Sequence, residues 1–282
     1  MCRHLAYIGP PTRLAPLLLD APHSLLHQSY APSDMRGGGT VNADGFGAGW
    51  YAPVAAAGGA APDAASHGGP YVDPAAHVDA GPARYRSDRP LWADTGFAAL
   101  AAVTFATGVL AAVRSATPGM PVTSTAAAPF AEGRWLFSHN GVVQGWPAAV
   151  AGPAAGLPVT DLLTLDAPTD SALLWALVRH RLRAGDDPAA VLTAVVRSVD
   201  GAAPGSRLNL LLTDGTAIWA TTWTHALSVR RGTGVVTVAS EPSDASAGWV
   251  AVPDRSLVVA TPQHCDVRPL DAAAPAPGSS AA

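Results

Sequence analysis

The sequence predicts an α+β fold in which antiparallel strands, and not alternating strand–helix units, carry the core. Two observations point this way. Five apolar, strand-like runs follow one another with no helical pattern between them: Arg207–Leu212, Ala217–Trp223, Leu227–Arg230, Val235–Ser240 and Leu257–Ala260. Gly-Thr and Asp-Gly turns separate several of them. The clearest helical periodicity is gathered ahead of these runs, near Asp170–Arg183 and about Pro188–Val199. A doubly wound parallel sheet needs strands and helices to alternate, and here most strands adjoin strands.

In chain order, Cys2–Ile8 reads as a short strand closed by Gly9-Pro10-Pro11, with Cys2 and His4 on one face and Arg3 on the other. Leu14, Leu17 and Leu18 give a short amphipathic helix. His23 and His27 lie four apart, as two metal ligands on one helical face would. No acidic or third ligand stands near them in sequence, so partly exposed histidines are the expectation and no metal is assigned. In Asn42–Tyr51 the glycines Gly45, Gly47 and Gly49 alternate, leaving one face of an extended segment bare for close approach by another element or a ligand. A phosphate loop would need a helix after it. Instead Trp50-Tyr51 leads into an Ala/Gly/Pro-rich insertion, about 52–82, expected to be a disordered loop between paired strands.

Order resumes at Ala83–Asp88 and Leu91-Trp92, and Val103–Val113 is apolar and β-branched enough for a buried strand. It ends at Arg114-Ser115-Ala116-Thr117-Pro118-Gly119. Arginine at the end of a buried strand is costly unless paired. It is either half of an internal salt bridge or, through its planar fork, a two-point holder of a carboxylate. Asn140-Gly141, between apolar runs, is the strongest short-range hairpin signal. The same dipeptide can aim a side-chain amide and a backbone N–H at a developing oxyanion. Thr169-Asp170-Ser171 opens a helix with Leu173, Leu174, Leu177, Val178 and Leu182 on one face. Asp170 there serves either the helix N-terminus or an ammonium ligand. The Ala/Pro/Gly/Ser tail, 271–282, is expected to be disordered.

Composition bounds the function. The 282 residues are 49% hydrophobic and 13% charged with net charge −4, and this describes a soluble globular protein with ample chain for a core. All 17 basic residues are arginine, which reflects GC-rich codon usage and not a nucleic-acid partner. No basic stripe exists, and Arg179, Arg181 and Arg183 are spread around a helix. No apolar run reaches the roughly 18 residues that span a membrane, and no signal-peptide pattern opens the chain. With two cysteines, Cys2 and Cys265, a reduced cytoplasmic protein is expected.

The chemistry centres on Met1-Cys2-Arg3-His4. Trimming of Met1 would leave Cys2 with both a thiol nucleophile and an α-amino group, whose ordinary pKa of roughly 7.7–8.0 suits a base near neutral pH. The alternative is a buried cysteine opening a first strand.

Cys2, the Asn42–Gly49 run, Arg114–Gly119, His139-Asn140-Gly141 and Thr169-Asp170-Ser171 stand in the order found in class II glutamine amidotransferases, which the chain resembles from Met1 to about Leu270. Met1–Ala6, Gln28–Pro32, Arg86–Trp92, Ala112–Thr117 and Ala239–Pro242 look like the γ-glutamyl amidohydrolase branch of ergothioneine biosynthesis. The resemblance implies one domain, 2–270, with the αββα four-layer sandwich of N-terminal nucleophile hydrolases. It implies no cofactor, and hydrolysis of γ-glutamyl-hercynylcysteine sulfoxide, a small-molecule substrate, through a Cys2 thioester. Carried over by residue, Cys2 is nucleophile and its α-amine the base, and Asn140 and Gly141 form the oxyanion hole. Arg114 with Thr117 holds the α-carboxylate of the glutamyl head, and Asp170 its ammonium. Better-known relatives carry His where Pro118 stands, so that contact is absent or replaced. An ammonia-supplying glutaminase subunit and a catalytically silent binding module on the same fold are the alternatives; the latter is at odds with the presence of Cys2, Arg114 and Asn140.

Overall fold

A computed structural model describes residues 2–35, 41–53 and 81–270. Met1, nearly all of the low-complexity insertion and the tail 271–282 lie outside the described residues. The strands form two antiparallel sheets. In the seven-stranded sheet β1 (Arg3–Arg13) is central. On one side lie β4 (Phe105–Val113), β2 (Phe46–Tyr51) and β3 (Ala83–Ser87); on the other lie β10 (Val235–Ala239), β9 (Ser228–Gly232) and β11 (Trp249–Ala251). The six-stranded sheet runs β13 (Cys265–Pro269), β12 (Ser256–Ala260), β8 (Ile218–Thr222), β7 (Arg207–Thr213), β6 (Trp135–Val142), β5 (Phe130–Glu132).

Strand alternation assigns the layers. On β1, Ala6 and Ile8 meet Leu136, Leu211 and Ile218 of the other sheet, forming the interior of the sandwich. Leu5 and Tyr7 point outward, where they pack with residues of α1 (Leu25–Gln28) and α2 (Thr95–Val103). On β6, Leu136 faces the interior while Phe137 faces outward. Outward of the second sheet, after the short α3 (Ala151–Ala154) and α4 (Val159–Leu163), lie α5 (Asp170–Arg183) and α6 (Pro188–Ala202). Their buried leucines and valines pack on Phe137, Leu210 and Leu212, and Trp175 stacks on Phe137 at 5.4 Å. The result is the expected helix–sheet–sheet–helix sandwich.

Several local expectations are corrected. β1 continues past Gly9-Pro10-Pro11 to Arg13, because its register against β4 shifts between Ile8 and Thr12 and the prolines sit at that irregularity. The strand expected at Val103–Val113 begins at Phe105, with α2 occupying the preceding residues. The short helix expected at Leu14–Leu18 does form, and most of it, Pro16–Asp20, is wound as a π-turn. Asn140-Gly141 is not a hairpin turn: it lies within β6, where Asn140 pairs with Asn209 and Gly141 with Leu208. β11 and β13 are short edge strands with too little apolar pattern to be read in advance. The strands on either side of the insertion, β2 and β3, do pair with each other.

The alternating glycines of β2 bring the two sheets together. A Cβ on Gly49 would meet Leu136 Cδ1 at 2.7 Å, and one on Gly47 would meet the Ala128 carbonyl, so only bare backbone fits here.

Candidate active site

The site lies at the end of the sandwich where the apolar interior gives way to polar side chains. Arg3 pairs with Val113 across β1 and β4, so Cys2 and Arg114 emerge side by side from neighbouring strands. Cys2 is half-buried, and its Sγ donates to the Ser115 carbonyl at 3.8 Å. As alternation requires, Cys2 and His4 share the interior face and Arg3 points to the outer one.

Arg114 is held by the glycine-rich run. Asp44 N donates to Arg114 O at 3.0 Å and Arg114 N to Gly45 O at 2.8 Å, and Gly45 takes φ +116°. The Asp44 carboxylate accepts the Ala116 N–H at 2.8 Å. The Arg114 guanidinium, buried at 8% exposure, donates only to the Asp44 carbonyl at 3.4 Å, and no carboxylate pairs with it among the described residues. Among the described residues Arg114 forms no internal salt bridge. Thr117 is exposed three residues on, its carbonyl closing a turn with Met120 N at 3.0 Å.

From the other sheet come Asn140 and Gly141. Asn140, on the interior face of β6, donates from Nδ2 to Ser240 Oγ at 3.2 Å, leaving its second amide hydrogen free. Gly141 sits where no side chain fits: a Cβ would collide with the Arg207 carbonyl group and come within 2.5 Å of His139 Nε2. Its N–H direction follows from the ladder. Leu208 and Leu210 send their N–H groups to the β8 side, so the odd-numbered residues of β7 serve β6. Gly141, opposite Leu208, then points its N–H away from β7, and β5 reaches only as far as Phe137. Among the described residues no strand meets that N–H.

Asp170 joins the site through β6. It opens α5 behind the Thr169 N-cap, as expected for a helix start, but its Oδ2 also accepts the Val143 N–H at 3.0 Å, just past the Asn140-Gly141 pair. Oδ1 accepts the Ser171 N–H at 2.7 Å and the Ser171 hydroxyl at 3.3 Å. A carboxylate has about four acceptor positions, so capacity remains for a ligand.

Buried histidines stand near these residues on both faces of β6. His4 pairs with Ser138 Oγ at 3.2 Å, and His139 with Ser171 Oγ and the Arg207 carbonyl, both at 2.9 Å. Burial holds the imidazoles of His4 and His225 neutral, at pKa values of about 3, with neighbouring positive groups adding to the effect. Burial lowers His139 as well.

Sequence reasoning assigned no role to Arg3, Ser240, Glu241, Asn209 or His225. Asn209, opposite Asn140, spans to the His225 and Ala226 carbonyls at 3.1 Å each. The pair His23 and His27 is partly exposed, as expected, but an acidic neighbour is present after all. His23 Nε2 lies 2.6 Å from Glu241, which is 218 residues away in sequence, and its Nδ1 pairs with His27 at 3.1 Å. Among the described residues no group of three potential ligands is arranged to hold a metal, and no helix is long and apolar enough to cross a membrane. Of the two tryptophans near the site loops, Trp50 packs against the outer core, and Trp92 is exposed, edge-on to Tyr30 at 5.9 Å.

No protein-family model matches the chain. It is 40% identical over 271 residues to a γ-glutamyl-hercynylcysteine sulfoxide hydrolase of Mycolicibacterium smegmatis, covering 96% of this chain and all of that protein. It is 38% identical over 274 residues to the protein of the same description from Mycobacterium tuberculosis, covering 97% and 98%. Among solved structures, a glutamine aminotransferase class-II domain protein from Silicibacter pomeroyi superposes with a TM-score of 0.62 at 21% identity, over 96% of this chain and all of that one. That likeness concerns the fold.

Proposed function

Since the chain belongs to the γ-glutamyl-hercynylcysteine sulfoxide hydrolase family, we propose that it hydrolyses the γ-glutamyl amide of that sulfoxide, with Cys2 as nucleophile. The observation that carries the reading is Arg114: a buried guanidinium with no carboxylate partner among the described residues, one residue from the carbonyl that Cys2 Sγ touches. Leaving such a charge unpaired is costly in the free protein, and a ligand carboxylate offsets that cost.

In the proposed reaction Arg114 takes the α-carboxylate of the glutamyl head, Thr117 assists, and Asp170 takes the α-ammonium. The γ-carbonyl then lies towards Cys2. The thiol proton passes to the Cys2 α-amine, freed by removal of Met1, while Sγ bonds to the carbonyl carbon. The carbonyl electron pair moves to oxygen, where the second Asn140 amide hydrogen and the Gly141 N–H receive it. Collapse breaks the C–N bond, and the Cys2 ammonium protonates the departing amine of hercynylcysteine sulfoxide. Water, deprotonated by the same amine, attacks the thioester carbonyl. Collapse then breaks the C–S bond, the Cys2 ammonium returns its proton to the departing sulfur, and glutamate is released. No residue in this scheme requires a metal or cofactor. The resemblance to the ergothioneine branch makes this a step of that biosynthesis.

The test is product analysis of the purified protein with the sulfoxide and, separately, with glutamine. The expected result is glutamate release from the sulfoxide at a kcat/KM well above that for glutamine, without a partner protein. Equal or better glutamine hydrolysis would replace this reading with an ammonia-supplying subunit.

A further inference from the structure

The nucleophile and the oxyanion amide sit on different sheets: Cys2 opens the first and Asn140 belongs to β6 of the second. A reacting carbon must meet the sulfur at about 3–3.5 Å while its oxygen meets the amide, and a misplacement of about 1 Å can cost on the order of 10² in rate. Something must fix one sheet against the other at this point.

Two consecutive residues after β10 make the connection. Ser240 turns to the interior. Its N–H donates to His4 O at 2.9 Å, and its Oγ accepts from His4 N at 3.0 Å and from Asn140 Nδ2 at 3.2 Å. Glu241 turns to the outer face. Its Oε1 accepts Arg3 Nε at 2.6 Å and Asp34 N at 3.3 Å; its Oε2 faces His23 Nε2 at 2.6 Å and accepts Ser33 N at 2.8 Å. Arg3 continues the chain of contacts, donating from Nη1 to the Cys2 carbonyl at 2.9 Å and from Nη2 to the Asp34 carbonyl. Both members of the Arg3–Glu241 pair are 3% exposed, so water does not screen it. Burial by itself would raise the Glu241 carboxyl, but the contacts from His23, Ser33 and Arg3 outweigh it and hold the group below its ordinary value. Arg3, Asn140, Ser240 and Glu241 also border one cavity of about 10 Å³, so the two anchors converge on the same small volume.

We propose that Ser240 and Glu241 are positioning residues that set Cys2 against the oxyanion hole, Ser240 by orienting the Asn140 amide and Glu241 by holding the Cys2 backbone through Arg3. Glu241, with its four contacts, ties down the nucleophile, and Ser240 leaves Asn140 one amide hydrogen for the oxyanion. The inference rests on the function proposed above. It assigns work to residues that touch no reacting atom.

The experiment measures kcat, KM and thermal melting for Ser240→Ala, Glu241→Gln, Asn140→Ala and the two double variants that combine Asn140→Ala with each. Ser240→Ala is expected to lower kcat about tenfold to a hundredfold with KM within about twofold, consistent with a misaimed amide. On the Asn140→Ala background it should cost less than about twofold more, because its target is gone. Glu241→Gln should lower kcat by a similar factor and keep that effect on the Asn140→Ala background, because it acts on the nucleophile. A merely structural role predicts lower melting temperatures with kcat per folded molecule unchanged. Should Ser240→Ala fail to fold, Ser240→Thr, which retains the acceptor oxygen, is measured instead and should keep at least about a third of wild-type kcat. Wild-type kcat in Ser240→Ala or in the folded fraction of Glu241→Gln, or a tenfold loss in a well-folded Ser240→Thr, overturns the inference alone. A wild-type protein that releases glutamate from neither the sulfoxide nor glutamine refutes the proposed function, and the positioning role with it.

Discussion

Gly141→Ala separates the oxyanion role of Asn140-Gly141 from any role in folding. The added methyl would face the Arg207 carbonyl carbon at 2.6 Å and His139 Nε2 at 2.5 Å, with the carbonyl oxygen closer still. Cβ atoms essentially never approach closer than 3.0 Å, and two of these neighbours are backbone atoms of β7. The strands must therefore part by on the order of 1 Å, since the close-packed interior offers no slack. That displacement breaks the 2.9 Å contact between His139 Nε2 and Arg207 O. It also stretches the adjacent Val142–Arg207 rung. Two bonds at about 1 kcal/mol each, with about 1–3 kcal/mol for overpacking, give roughly 3–5 kcal/mol. At about 2–4 °C per kcal/mol for a domain of this size, the melting temperature should fall by roughly 6–20 °C. The Gly141 N–H moves with the strand, so kcat of the folded fraction should fall by on the order of 10². The comparison is Asn140→Ala, which removes a donor without forcing the strands apart: kcat should fall about 10²–10³-fold with little change in KM. Melting and kinetics on the same samples decide. Gly141→Ala with wild-type melting refutes the steric argument; a lower melting temperature with full kcat in the folded fraction refutes the oxyanion assignment.

Cys2→Ala should abolish turnover with melting unchanged, and intact mass of active protein should show a chain beginning at Cys2; retained Met1 in a fully active sample rules out the α-amine as base. Arg114→Lys should lower kcat/KM by at least tenfold, because lysine keeps the charge but loses the fork that fixes carboxylate orientation. Substrates lacking the α-carboxylate that are cleaved equally well argue against that contact. The buried histidines predict an acid-sensitive fold. His4 and His225 stay neutral in the folded protein down to about pH 3, whereas in the unfolded chain they take up protons below about pH 6.5. Stability should be fully present above that value and fall as pH drops from about 6.5 towards 3, by up to about 1.4 kcal/mol per pH unit for each histidine. Urea midpoints at pH 8, 6 and 5 measure this, and a flat profile contradicts it.

The strands and helices that build the layers were legible because they rest on local periodicity, whereas the four-layer order was implied by the family resemblance. The strands from Arg207 onward and the apolar faces of α5 and α6 announce themselves within ten residues, and the structure places them within a few residues of expectation. What misled were signals whose outcome depends on a distant partner. Asn140-Gly141 carries the pattern of a hairpin, yet β7 supplies a full row of pairing partners from Arg207 to Thr213, and tertiary pairing overrides the turn preference. Gly9-Pro10-Pro11 reads as a stop, yet β4 continues alongside after a shift in register.

The site divides along the same line. Cys2, Arg114, Asn140, Gly141 and Asp170 each carry a residue type whose chemistry suggests a role, so single positions could be nominated from the chain alone. Their arrangement could not, because it is made by residues of ordinary type whose partners are far off in sequence. Ser240 meets His4 across 236 positions, and Glu241 meets Arg3 across 238. Ser240 and Glu241 carry no chemistry of their own that marks a site, and only the folded pairing of β10 with β1 puts them against His4 and Arg3. Chemistry is thus written locally while geometry is written non-locally. Substitutions at Cys2 or Arg114 should act on one step or one contact, whereas those at Ser240 and Glu241 should act through the residues they hold, leaving every reacting group present and misaligned.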